Sequence, residues 1–181
     1  MRDLHNSDYL AGFADGEGCF TIDWRRQQPR HFHTVFRICQ RADGANILFL
    51  LCEQFGGKMT FSRVTDRMKV AVPGSSPSWQ WSVMSRIDVL RLIDYFNKHL
   101  LIAKMEEYKV WRAATLLYHK YSVGRSHPRN KRNPDWLVQE MLDYRSNLQA
   151  LKRYNLKDVE NVGNFFTDNQ SQQILPHMGD V

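Results

Sequence analysis

The spacing of apolar residues changes period several times along the chain, and each change predicts an element. Asn6-Ser7-Asp8 supply capping side chains, Tyr9-Leu10-Ala11-Gly12-Phe13-Ala14 continue as a short helix, and Gly16 and Gly18 end it. From Glu17 to Arg25 the residues alternate, with Phe20, Ile22 and Trp24 apolar against Thr21, Asp23 and Arg25, as in a strand buried on one side. After a polar stretch around Gln27 to Pro29, a less regular run through Phe32, Val35, Phe36 and Ile38 to Gln40 completes a long hairpin. Ala45 to Leu51 reads as a buried helix stopped by Gly56-Gly57. Two strands follow, at roughly Lys58 to Thr65 and Lys69 to Val83, the latter interrupted by Pro73-Gly74-Ser75-Ser76-Pro77. A helix over Ile87 to Asn97 is expected to bury Ile87, Leu90, Ile93 and Phe96. The predicted order is αββαββα.

Two more helices are predicted, Lys104 to Tyr121 and Pro134 to Tyr154, the second with Pro134 in its first turn. The segment His119 to Asn133 between them contains several cations and no acid. From Asn155 onward the chain is polar and weakly patterned, which predicts a tail ordered only by docking. This predicts one α+β domain over residues 1–154, with a core at about 7–121, an additional helix at about 134–154 and a tail at 155–181, without internal repeats.

Composition adds a partner class. The 181 residues are 43% hydrophobic, enough for a core, and 25 Lys and Arg against 19 Asp and Glu give a net charge of +6. A polyanion is the partner such a balance favours, nucleic acid being the commonest. Cys19, Cys39 and Cys52 form no CxxC pair, so reduced thiols in an intracellular protein are expected. Neither a secretory signal nor a run of ~18 apolar residues is present, so no membrane partner is expected.

The segment that carries chemistry is Leu10-Ala11-Gly12-Phe13-Ala14-Asp15-Gly16-Glu17-Gly18. Gly12 and Gly16, four apart, share one helix face and let another backbone approach closely. Glu17 falls where the helix gives way to the strand. If a second copy of the chain supplies the facing helix, two carboxylates meet at the bottom of the seam, where hard divalent cations relieve their repulsion. An Asp-Gly-Glu-Gly run on its own is commonly only a helix stop and turn. Here it follows a small-residue helix face and precedes an alternating hairpin within an αββαββα order.

The motif, LAGFADGEG here, resembles the signature of the LAGLIDADG homing endonucleases. The resemblance implies an antiparallel four-stranded saddle sheet with helices packed on its back, over about residues 7–110. One copy of the motif implies a homodimer, with Ala11, Gly12, Asp15 and Gly16 at the interface. It also implies a site-specific endonuclease that makes metal-dependent double-strand breaks in a long, pseudo-palindromic DNA target, encoded in an intron and acting in an organelle (chloroplast or mitochondrion) or in bacterial cytoplasm. Glu17 is then the catalytic, metal-binding acid, Gly16 lends its carbonyl to the same Mg²⁺ or other divalent ion, and Asp15 hydrogen-bonds near the helix end. Gln40 and Lys104 look like the residues that organise water around the cut phosphate, though each is equally an ordinary solvated side chain. Gly44 stands near where some members carry an extra basic residue, which leaves Arg41 to rebuild that part of the network. The reaction is hydrolysis by an activated water, with no covalent intermediate. Gly57-Lys58 lacks the rest of a phosphate-binding loop, so ATP is not expected.

The DNA-reading surface is expected on the exposed face of the sheet, since a two-stranded ribbon fits the major groove. Parity from Glu17 puts Cys19, Thr21, Asp23 and Arg25 there, and on the second strand His31, His33, Val35 and Arg37. Gln40 has the opposite parity, so its role requires the pleat to break near Cys39. Arg63, Ser78 and Gln80 are expected from the later strands. Lys120, Arg129, Lys131 and Arg132 on the acid-free segment suit phosphate contacts, or equally form a solvated linker. Trp79 and Trp81 read as core rather than as base-stacking residues. Two alternatives stay open: an intron RNA maturase and a catalytically inactive DNA-binding protein on the same fold.

Overall fold

The computed structural model describes residues 7–24, 31–64, 76–122 and 133–170, with the side chains of the last helix described through Lys152. Helix α1 (Tyr9–Glu17) leads into strands β1 (Gly18–Trp24) and β2 (Phe32–Arg41). A 3₁₀ turn (Ala42–Gly44) and helix α2 (Asn46–Phe55) follow, then β3 (Lys58–Ser62), β4 (Ser78–Val83), α3 (Arg86–Lys98), α4 (Met105–Tyr121) and α5 (Asp135–Gln170). The first seven elements keep the expected αββαββα order, and the four strands form one antiparallel sheet in the order β1-β2-β4-β3.

The sheet has one buried and one exposed face because the strand period is two. Across the buried face run the rows Phe20–Phe36–Val83 and Ile38–Trp81–Met59. Phe20 lies 5.0 Å from Phe36 and 5.1 Å from Trp111 of α4, and Phe36 lies 5.7 Å from Phe96 of α3. Phe20, Phe36, Trp81, Phe96 and Trp111 are all fully buried. Each such side chain contributes about 1.5–3 kcal/mol by leaving water, and ring pairs at these separations add about 0.5–1.5 kcal/mol. Trp81 also donates its ring N–H to Gly56 O at 2.8 Å, so its one polar atom is satisfied.

The turn from α2 to β3 needs its two glycines. Gly56 and Gly57 have φ of 76° and 92°, and a Cβ at Gly57 would lie 2.7 Å from Ser82 O. Asp88 locks this corner: its carboxylate accepts from Gly57 N–H at 3.2 Å, while its own N–H donates to Ser85 Oγ, the N-cap of α3, at 3.2 Å.

Three expectations about elements change. The buried stripe of α3 is Val89, Leu92, Ile93 and Phe96, whereas Ile87 and Leu90 are exposed. Both stripes have helical spacing, and only packing against the sheet chooses the phase. Glu17 is the last residue of α1 rather than the first of the strand. Helix α5 continues past Tyr154 to Gln170, with no proline between Pro134 and Pro176 to stop it. Residues 25–30, 65–75 and 123–132 lie outside the described residues.

Candidate carboxylate site and nucleic-acid interface

Helix α1 packs one side against the sheet and leaves the other bare. Leu10, Ala11 and Ala14 are buried, and the Ala11 N–H donates to Tyr95 Oη at 3.3 Å. Tyr95 in turn donates to Ser7 O at 2.5 Å, which ties the start of α1 to α3. Ala11 therefore faces the core of its own chain and not a partner helix, a correction to the interface expected from the motif. Its helical phase matches Leu10 and Ala14, not Gly12. Gly12 and Gly16 are exposed, and a Cβ on either would meet nothing within 4 Å. The remaining motif glycine has a different task. A Cβ at Gly18 would stand 2.5 Å from Ala14 O and 2.9 Å from a ring carbon of Phe36, so Gly18 lets the helix end pass directly over β2.

The C-terminal end of α1 gathers the charged groups of the motif. Glu17 is exposed there. Asp15 accepts the backbone N–H of Ile102 at 2.7 Å and of Lys104 at 3.1 Å, the helix-end hydrogen bonding expected of it. Lys104 Nζ donates to Gly16 O at 3.2 Å and Gly18 O at 2.6 Å, on either side of Glu17. An ammonium on these carbonyls offsets the partial negative charge of the helix end. It also shows that the Gly16 carbonyl is oriented to receive a cation. Lys104 Nζ is thus placed at the two carbonyls that flank Glu17 in the chain.

Gln40 is not placed as its role required. The ladder from Phe36–Val83 to Arg41–Ser78 is continuous, so the pleat does not break and Gln40 keeps the parity of Ile38, opposite Trp79. Trp79 lies 5.1 Å from Phe49 and 4.9 Å from Phe61, both exposed rings, so it is only partly buried at the core's edge, whereas Trp81 is fully buried as expected.

The exposed face of the sheet is built from five lateral rows. Asp23 pairs with His33, and Thr21 pairs with Val35. Cys19, Arg37, Ser82 and Lys58 share a row, as do Cys39, Gln80 and Thr60, while Arg41, Ser78 and Ser62 stand at the end. The expected readers Thr21, Asp23, His33, Arg37, Arg41, Ser78 and Gln80 therefore share one face. His31 precedes β2 with the parity of His33. Val35 is a correction: it has reader parity but is fully buried, so no base can touch it.

Arg63 lies just past β3 with the parity of Phe61, off this face by strand pleat. Lys120 sits at the end of α4, whose Trp111 and Tyr118 pack on Phe20 and Phe32 behind the sheet, and its ammonium lies 4.9 Å from the Tyr121 ring centroid. Arg25, Arg129, Lys131 and Arg132 lie outside the described residues. Cys39, Lys58, Thr60 and Ser62 belong to the face but escaped the sequence reading. Only the pairing of β3 with β4 reveals the parity of the last three.

Electrostatics on this face are local. Arg37 donates from Nη1 to Thr21 Oγ1 at 2.7 Å and from Nη2 to Asp23. Arg41 pairs with Asp43 at 3.3 Å, both side chains well exposed. Partial desolvation of the otherwise exposed Cys39, reinforced by Cys19, pushes its thiol above its ordinary pKa, and its Sγ donates to Gln80 Oε1 at 3.5 Å. Among the described residues, no three His, Cys, Asp or Glu side chains converge as a metal cluster, and no helix is long and apolar enough to cross a membrane.

The family model described as LAGLIDADG endonuclease matches residues 10–115, more than half of the chain. Among solved structures, the homing endonuclease I-TnaI is similar at a TM-score of 0.58 and 20% identity, over 87% of this chain and 99% of that one. I-GzeII, solved in complex with its DNA target, is similar at 0.59 and 17% identity over 76% of this chain. I-LtrWI, bound to target DNA, is similar at 0.57 and 19% identity over 80%. This chain spans 43% of the I-GzeII chain and 45% of the I-LtrWI chain. No curated protein matches the chain. The structural likenesses establish the fold, and the match over residues 10–115 places the chain in the LAGLIDADG endonuclease family.

Proposed function

We propose that this protein is a homing endonuclease that acts as a homodimer, lays the exposed faces of its two sheets into DNA major grooves, and hydrolyses both strands with divalent cations held by Glu17. The observation that carries the reading is the end of α1, where an exposed carboxylate lies at the foot of a bare Gly12–Gly16 face, beside a carbonyl already accepting a cation. A chain supplying half of a two-helix seam has an incomplete site, and a second copy completes it by symmetry. The solved relatives whose chains are about twice as long, and which were captured on DNA targets, agree with such a doubling.

The donor set fits Mg²⁺. Glu17 and the Gly16 carbonyl are hard oxygen ligands, and a small divalent ion keeps waters and takes phosphate oxygens for the rest. When bound, the ion supplies an acidified water and stabilises charge on the phosphate. The chain does the remainder. Glu17 fixes the cation at the seam, and Asp15 keeps the 102–104 backbone against the helix end so that Lys104 stays within reach. Lys104, held at the carbonyls of Gly16 and Gly18, would present its ammonium toward the cut phosphate. Arg41 and Ser78 at the end of the sheet orient the phosphates on either side. Gln40 contributes only if the strand end rearranges on DNA.

The test is a selection of cleaved sites from a randomised duplex library with Mg²⁺. A defined pseudo-palindromic site, cut on both strands and protected by chelator, supports the reading. Sequence-specific binding without cutting would replace it with a DNA-binding protein on this fold.

A further inference from the structure

We propose that Thr21, Asp23 and Arg37 form one reading head, in which Asp23 is a positioning residue that holds Arg37 against a guanine rather than contacting a base itself. The inference rests on the DNA-reading face proposed above and deepens it. It starts from hydrogen bonds whose direction is fixed. Thr21 Oγ1 donates to Val35 O at 3.3 Å, so its proton is committed to the sheet and a lone pair is left for Arg37 Nη1, 2.7 Å away. Arg37 Nη2 donates to the Asp23 carboxylate, two residues along β1 on the same face. Two of the five donors of the guanidinium are therefore engaged, and three remain in a plane whose orientation the other two set.

A solvent-exposed arginine sweeps many rotamers, and holding one of them is what base recognition by a planar fork requires. Arg37 is only a quarter exposed, its stem lying in the row between Cys19 and Ser82. Asp23 and Thr21 also line a cleft with Arg145 and Lys152 of α5, the latter donating to Cys19 Sγ at 3.2 Å. A carboxylate already accepting from Arg37 does not stand as a bare acceptor for the amino group of cytosine. Guanine, with O6 and N7 side by side in the major groove, is the base edge that matches the donors Arg37 has left.

Because Asp23 acts through Arg37 and also carries a negative charge, removing that charge has two effects of opposite sign. Asp23→Asn should relax the guanine preference at one position of each half-site, and it should be the position that Arg37→Ala relaxes. Loss of a bidentate guanine contact corresponds to roughly 5- to 150-fold discrimination, and Asp23→Asn should forfeit part of this. At the same time its binding to unrelated duplex should tighten and grow more salt-dependent, one repelling charge having gone. The double variant should be no less selective than Arg37→Ala alone.

The experiment compares the site preferences of the wild type, both single variants and the double variant on a randomised duplex library at two salt concentrations. Side-chain nitrogen NMR of the DNA-free protein accompanies it. The expected result is one shared relaxed position, full coupling in the double variant, and hindered rotation of the Arg37 guanidinium that Asp23→Asn releases. Relaxation at different positions would overturn the positioning role and make Asp23 a reader in its own right. Freely rotating Arg37 in the wild type would overturn it without reference to DNA. A wild type with no sequence preference at all would instead remove the DNA-reading face, and this role with it.

Discussion

The back of the sheet and its front are made by the same alternating strands, yet they are finished in different ways. On the back, Phe20, Phe36, Trp81, Phe96 and Trp111 are fully buried and pack ring against ring within the chain. On the front, Cys39 and Arg41 stand exposed and Arg37 is tied down only by its neighbours. Helix α1 repeats the contrast within two turns, with Leu10, Ala11 and Ala14 sealed against the core and Gly12 and Gly16 open. The inward surfaces account for stability. The outward ones, which fold without needing each other, are where function has been left room.

The strongest test of this division is Glu17→Gln. The side chain is exposed and at a helix end, so folding should be unchanged, whereas cleavage should drop below detection because the charge proposed to hold the cation has gone. Thermal melting and a plasmid cleavage assay read the two halves of that expectation.

Two glycine substitutions then separate the faces of α1. Gly18→Val points a branched side chain at Ala14 O and Phe36, and should cost about 3 kcal/mol or more in a urea titration. Gly12→Leu meets nothing within its own chain, so its protomer should fold normally, but the dimer should weaken at least about tenfold, or roughly 1.4 kcal/mol, in sedimentation. If Gly12→Leu unfolds the protein instead, the open face is not an interface.

A smaller effect is expected from Lys104→Met. It removes the ammonium from the carbonyls of Gly16 and Gly18 at the end of α1, and should lower stability by about 1 kcal/mol. An unchanged melting temperature would mean that the two hydrogen bonds contribute nothing net.

The same contrast explains what the sequence reveals. In β1 apolar and polar residues alternate without exception from Phe20 to Asp23, and the pattern alone assigns both faces. In β2 it does not, because Val35 is apolar on the outward parity and Thr34 is buried on the inward one. The Gly12 and Gly16 face follows from helical spacing, and so does the burial of Ala11, had its phase been set by Leu10 and Ala14. Register is what the sequence withholds. That Arg37 meets both Thr21 and Asp23, that the pleat runs unbroken past Cys39, and that Lys58, Thr60 and Ser62 share the front all depend on cross-strand pairings between distant segments.

The central claim is that two copies each bring one Glu17 to a shared seam, and mixed dimers test it most directly. Wild-type protein and Glu17→Gln, carrying different affinity tags, are refolded together and the species with both tags is purified. It is then incubated with Mg²⁺ and a supercoiled plasmid containing the selected site. The account predicts that the mixed dimer cuts poorly and does not linearise the plasmid at the wild-type rate, because half of the carboxylate seam is missing. A mixed species that linearises the plasmid as fast as the wild type, or a failure of the two chains to associate while the wild type cuts both strands, would contradict it.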